Sequence, residues 1–119
     1  MHENMFIYLQ NMPTLLLTSP TPNLNLSAER MEKVAFILKT TAHPTRIAIV
    51  QLLATHESLA VSNICERLGV EQSLASHHLS GMKLKGILQS HREGKNVFYS
   101  LKMREVLEVI QCLAACTLL

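Results

Sequence analysis

From Ser27 onward, apolar residues recur with helical spacing. Met31, Val34, Ala35 and Leu38 fall at i, i+3, i+4 and i+7, one stripe of an amphipathic helix. Ser27 is placed to cap it, and Glu29 suits the positive end of its dipole. "HPTRIAIVQLLATHE" opens a second helix, with Pro44 in the first turn, where its missing N–H costs nothing. Ile47, Ala48, Ile49, Val50, Leu52 and Leu53 make that helix apolar nearly all round, which predicts a central, buried position. "VSNICERLG" is a short third helix, capped by Ser62 and stopped by Gly69. A fourth begins around Gln72 and runs to about Lys85, closed by Gly86.

Two helices joined by a tight turn containing glycine form a helix-turn-helix. The next segment, "ILQSHREGKNVFYSL", holds two strand-like runs about a Glu93–Gly94 turn, a β-hairpin. From about Lys102 a last helix carries Val106, Val109, Ile110, Leu113 and Thr117 on a broad apolar stripe. The predicted fold is therefore mainly α with a small β-hairpin, a winged helix-turn-helix with an extra helix at each end. A domain this small cannot cover both terminal stripes, so dimerisation through the N- and C-terminal helices is expected.

Residues 1–26 stand apart. "MFIYLQNMPTLLL" is apolar but broken by Pro13, and "TSPTPN" has linker chemistry. The segment reads as an arm or linker ahead of a DNA-binding and dimerisation domain at 27–119. A mobile arm, a short docked helix and translation from an early start codon all remain open. No Lys or Arg precedes Arg30, so the positive start of a secretory signal is lacking, and no apolar run approaches a membrane span. Cysteines at 65, 112 and 116, an odd number, make no disulfide framework; reduced thiols in a cytoplasmic protein are the plain expectation.

Charge sharpens the picture. The chain carries +2 overall, yet residues 83–104 hold Lys83, Lys85, Arg92, Lys95, Lys102 and Arg104 against Glu93 alone, a local +5 that leaves −3 elsewhere. A basic block on an otherwise acidic body fits a polyanion partner, and a solvated surface equally well. The fourth helix favours the former. With residues about 100° apart, Ala75, Leu79 and Met82 form its core side, while Gln72, Ser73, Ser76, Ser80 and Lys83 share a polar arc with His77 at its edge. Solvated faces usually mix Glu with Lys; this one has one Lys and no acid. Small hydroxyls let a helix approach base edges, and Gln pairs with adenine. Arg92 and Lys95 bracket the hairpin turn, two cations placed to meet phosphates or enter a minor groove.

The adjacent His77 and His78 invite a metal reading, which geometry excludes. Side chains about 100° apart cannot share an ion from a regular helix; helical pairs need i, i+3 or i, i+4 spacing. His78 flanks the core side and is expected to be partly buried and hydrogen-bonded.

"LKTTAHPTRIAIVQLL" at 38–53, "VSNICERLGVEQSLASHHLSGMKLKGIL" at 61–88 and "REGKNVFYSL" at 92–101 together resemble the ArsR/SmtB family of bacterial winged-helix repressors. The likeness spans roughly residues 29–118. It implies a homodimer on double-stranded DNA with an inverted-repeat operator, repressing transcription until a metal, metalloid or oxidant releases it. The family's sensor motifs are missing. Where soft-metal sensors carry Cys-Val-x-Asp/Cys, this chain reads Ala60-Val61-Ser62-Asn63. The positions matching the zinc ligands of the last helix are Met103, Glu105, Cys116 and Leu119, two of which cannot bind zinc. No metal or other cofactor is therefore expected.

Cys112 and Cys116, at i, i+4, remain as a candidate thiol sensor. A disulfide within one helix would be strained, whereas one across the dimer, a persulfide, oxidation of one thiol, or a soft-metal site using both subunits stays open. Plain apolar filler in a helix interface is the simpler reading, and Cys65 reads as core filler. An enzyme is not expected: the chain contains no Asp and no nucleophile–base–orienter set. The competing function is a winged-helix protein-interaction module that has lost DNA binding, which an acidic or greasy recognition face would have favoured.

Overall fold

The computed structural model describes residues 26–116. The N-terminal arm, apart from Leu26, lies outside them, as do Thr117 and Leu119. Among the described residues, five helices and three strands follow in chain order: α1 (Ala28–Thr41), α2 (Pro44–Thr55), β1 (Leu59–Ala60), α3 (Val61–Leu68), α4 (Gln72–Leu84), β2 (Leu88–Glu93), β3 (Asn96–Leu101) and α5 (Glu105–Ala114).

The caps explain most boundaries. Ser27 Oγ accepts the Arg30 N–H at 3.2 Å and starts α1. His43 Nδ1 accepts the Thr45 N–H at 3.1 Å, and Pro44 follows in the first turn of α2. Ser62 does not cap α3, contrary to expectation; the helix begins at Val61 with Ala60 as its N-cap and no side-chain cap bond. Pairing of β1 with β3 holds Leu59 and Ala60 extended up to that point, so the chain turns helical one residue earlier. At the end of α4, the Ile87 N–H reaches the Met82 carbonyl and the Gly86 N–H the Lys83 carbonyl, both at 3.0 Å, with Gly86 at φ +81°. This Schellman closure needs a left-handed residue, which glycine supplies without strain.

The sheet runs β1-β3-β2, antiparallel throughout. Its third strand, only two residues long, went unrecognised in the sequence because so short an element shows no alternation. The hairpin turn lies one residue beyond the expected position. Glu93 pairs with Asn96, so Gly94 and Lys95 form the loop. Gly94 has φ +61° and Lys95 does not have positive φ, the pattern of a type II′ turn. The last helix likewise starts at Glu105 rather than Lys102 and ends at Ala114. Lys102 and Met103 N–H groups both donate to the Ile87 carbonyl, which holds that stretch against the strand end.

The core gathers Ile37 of α1, Ile49, Val50 and Leu53 of α2, Ile64 of α3, Ala75, Leu79 and Met82 of α4, and Ile87 and Leu88. Tyr99 and Leu101 seal it from the sheet and Val106 from α5. The second helix is central as expected, but Ile47 on its outer side is exposed. Among the described residues no helix is long and apolar enough to cross a membrane.

Leu79 is fully buried and Leu84, five residues on, is 85% exposed. Leu79→Ala is expected to lower unfolding stability by about 2–5 kcal/mol through a core cavity. Leu84→Ala should stay within about 0.5 kcal/mol of wild type. Urea denaturation of the two variants checks both.

Candidate nucleic-acid interface

Burial of Ala75, Leu79 and Met82 turns the opposite side of α4 outward. Gln72, Ser73, His77, Ser80 and Lys83 are all exposed and Ser76 is half-buried. The sheet brings the wing to this surface. Gln72, Ser76 and Ser80 line one wall of a cleft of about 280 Å³, faced by Lys95, Asn96 and Val97 from the hairpin and Ser62 from α3. On the other flank, Lys83 shares a second hollow with Ser90, His91 and Arg92.

Register explains the split. Arg92 pairs directly with Val97, and cross-strand partners share a face, so Arg92 points to the side that Val97, Tyr99 and Leu101 turn toward the body. Lys95 sits in the turn itself. The two cations therefore do not cap the tip together: Lys95 flanks the serine-lined cleft and Arg92 flanks Lys83. Ser73 and His77 are exposed on the same helix but line neither hollow. No carboxylate lines either one. Ser62 and Asn96 belong to the surface and were not singled out in the sequence. Ser62 has the side chain of a helix cap and Asn96 that of a hairpin turn; β1–β3 pairing and the turn setting place them at this surface.

His91 stacks on its cross-strand partner Phe98, with ring centroids 5.3 Å apart, and lies 3.3 Å from Glu93. The wing is thus stiffened by an aromatic pair on its outer face. His78 is buried, as expected, and its Nδ1 accepts from Arg46 Nε at 3.0 Å. Burial, and then the charges of His43, Arg46 and His77, hold its pKa below the ordinary histidine value.

The terminal helices pack on each other, with Lys33 of α1 3.5 Å from Glu105 of α5. The backbone N–H of Glu105, then Lys33, hold its pKa below the usual carboxylate value. Met31 and Leu38 on α1 and Leu113 on α5 remain 52%, 42% and 51% exposed. The predicted stripe of α1 is therefore mostly uncovered; the face that enters the core carries Ile37, Thr40 and Thr41 instead. Cys112 is exposed on α5, while Cys116 lies just past the helix end, its N–H donating to the Leu113 carbonyl at 3.2 Å. Cys65 packs against the core, half-buried. Among the described residues no group of three or more His, Cys, Asp or Glu side chains is arranged to hold a metal ion.

Comparison with known proteins accords with this geometry. Residues 43–90 match the profile of the bacterial regulatory protein, arsR family. An uncharacterized HTH-type transcriptional regulator of Methanocaldococcus jannaschii is 39% identical over 83 residues, covering 70% of this chain and 93% of that protein. The chain belongs to the ArsR family. It is a DNA-binding transcriptional regulator with a winged helix-turn-helix.

Two solved structures place this ArsR-family chain in three dimensions. The transcriptional repressor PagR of Bacillus anthracis superposes with a TM-score of 0.64 at 37% identity, covering 73% of this chain and 99% of that one. HlyU of Vibrio cholerae, described as a transcriptional activator, gives 0.66 at 30% identity, covering 73% of this chain and 94% of that one. The family members are transcriptional regulators rather than enzymes.

Proposed function

We propose that the protein is a homodimeric repressor that binds an inverted-repeat operator through α4 and the wing, and that a chemical signal releases it. The observation carrying this reading is the acid-free cleft in which Gln72, Ser76 and Ser80 of α4 face Lys95 and Asn96 of the hairpin. Gln72, Ser73, Ser76, His77 and Ser80 present hydrogen-bonding groups suited to base edges. Lys83, Arg92 and Lys95 supply phosphate contacts that set register.

The uncovered stripe of Met31 and Leu38 on α1, together with Leu113 on α5, supports dimerisation, and two-fold symmetry would match a palindromic site. Residues 27–119 act as the DNA-binding and dimerisation unit, with 1–26 as an appended arm. Cys112, exposed on α5, and Cys116, exposed just past its end, are the candidate thiol sensor, adjoining the dimerisation face at Leu113.

Fluorescence-anisotropy titration of a duplex from the protein's own promoter region, against a scrambled duplex, tests the reading. Absence of sequence-selective binding at moderate salt overturns it. Gln72→Ala should cost about 1–3 kcal/mol of discrimination at the base it contacts. Arg92→Ala should weaken both duplexes alike and reduce the salt slope by about one.

Leu113→Glu should weaken self-association about tenfold or more by burying a charge in the interface, as measured by analytical ultracentrifugation. An unchanged mass would remove α5 from the interface. Peroxide or polysulfide treatment should lower wild-type operator affinity and leave the Cys112→Ser/Cys116→Ser protein unaffected. Identical responses would eliminate the thiol sensor.

A further inference from the structure

Arg46, in the first turn of α2, reaches three parts of the molecule. Its Nη1 donates to the Thr40 carbonyl near the end of α1 at 2.9 Å, and its Nε donates to His78 Nδ1 on α4 at 3.0 Å. Its Nη2 lies over Gly81, where an added Cβ would meet it at 3.0 Å. His78 and Gly81 are three residues apart and share a face of α4. The guanidinium therefore lies along the recognition helix in space that the absent Gly81 side chain leaves open. Among the described residues no carboxylate pairs with Arg46. Its partners are two neutral acceptors, a carbonyl and an imidazole lone pair.

That arrangement requires one protonation state of His78. With Nδ1 accepting, the neutral ring carries its proton on Nε2, a buried atom without a hydrogen-bond partner. The groups facing His78 are all potential cations: Arg46 from α2, His43 at the α2 N-cap with ring centroids 4.4 Å apart, and His77 on its own helix at 5.7 Å. From α1 there is only the uncharged Thr40 carbonyl, held through Arg46.

Resting on the reading of α4 as the DNA-reading helix, we propose that Arg46 is a positioning residue that locks the setting of α4, and that protonation of His78 at Nδ1 unlocks it. A proton taken from solvent turns Nδ1 from acceptor to donor. It then opposes the Arg46 N–H, and two cations meet in a part-buried site without an anion. Because the pKa of His78 is lowered on folding, the contact is intact above the ordinary histidine range and is lost as pH falls below it, through the depressed value.

Two measurements on the full chain test this. In imidazole ¹H–¹⁵N correlation spectra, His78 should be the Nε2–H tautomer at neutral pH and titrate below the ordinary range, and backbone amides of α4 should shift as it does. Arg46→Lys should raise its titration point, since an ammonium cannot hold both acceptors in one planar fork. Titration of His78 in the ordinary range, or titration that leaves the α4 amides unmoved, overturns the proposal.

Operator affinity gives the second readout. Between neutral pH and a pH below the His78 titration point seen in those spectra, wild-type binding should weaken roughly threefold or more beyond any change in His78→Gln, whose amide oxygen can accept from Arg46 but takes no proton. His77 is present in both proteins, so its own contact with DNA is common to the two profiles. Coincident pH profiles refute the proton-sensitive contact; a loss of thermal stability in Arg46→Lys with an unaltered profile reduces Arg46 to a structural role. If the spectra show α4 responding to His78 while no DNA binds at any pH, the contact stands and the operator-binding function falls.

Discussion

The burial of Ala75, Leu79 and Met82 is the constraint on which the other features of the molecule depend. These three side chains fix the rotation of α4 about its axis, because each is sealed from water and any turn of the helix would expose one of them. Once that rotation is set, the opposite arc, from Gln72 to Lys83, has no choice but to face outward. The core thus orients the polar arc proposed to read DNA without any residue of that arc taking part in the core.

The wing depends on the same core from the other side. Tyr99 and Leu101 enter it on alternate positions of β3, which leaves the turn at Gly94 and Lys95 projecting beside α4. Position within the strand then decides what each cation does. Arg92, one pair inside the turn, faces Lys83, whereas Lys95 in the turn faces the serines. A one-residue shift in register would exchange those faces, since side chains alternate along a strand. The short β1 strand guards against such a shift by pairing Leu59 with Tyr99 and Ala60 with Phe98.

Much of this was legible in the residues. The periods of α1, α2 and α4, the glycine stops at 69 and 86 and the strand–turn–strand pattern all rest on local chemistry, so they could be read directly. Local chemistry also misled in definite places. Ser62 has the side chain of a cap but sits one residue inside its helix, because a distant strand sets where that helix starts. The Met31–Leu38 stripe is apolar, yet the protomer leaves it mostly uncovered and buries Ile37, Thr40 and Thr41 instead; periodicity identifies an apolar face but not what it will meet.

The two histidines of α4 mark the division most clearly. Sequence by itself determined that His77 and His78 point about 100° apart, because helix pitch alone sets that angle. It determined as well that one lies beside the core and the other beside the polar arc. Only the tertiary structure decided what His78 does there. Its partner Arg46 lies 32 residues away and its ring neighbour His43 lies 35 away; no local spacing encodes such contacts. The packing of α2 across α4, with Gly81 leaving room for the guanidinium, turns a buried histidine into the acceptor of a charged donor.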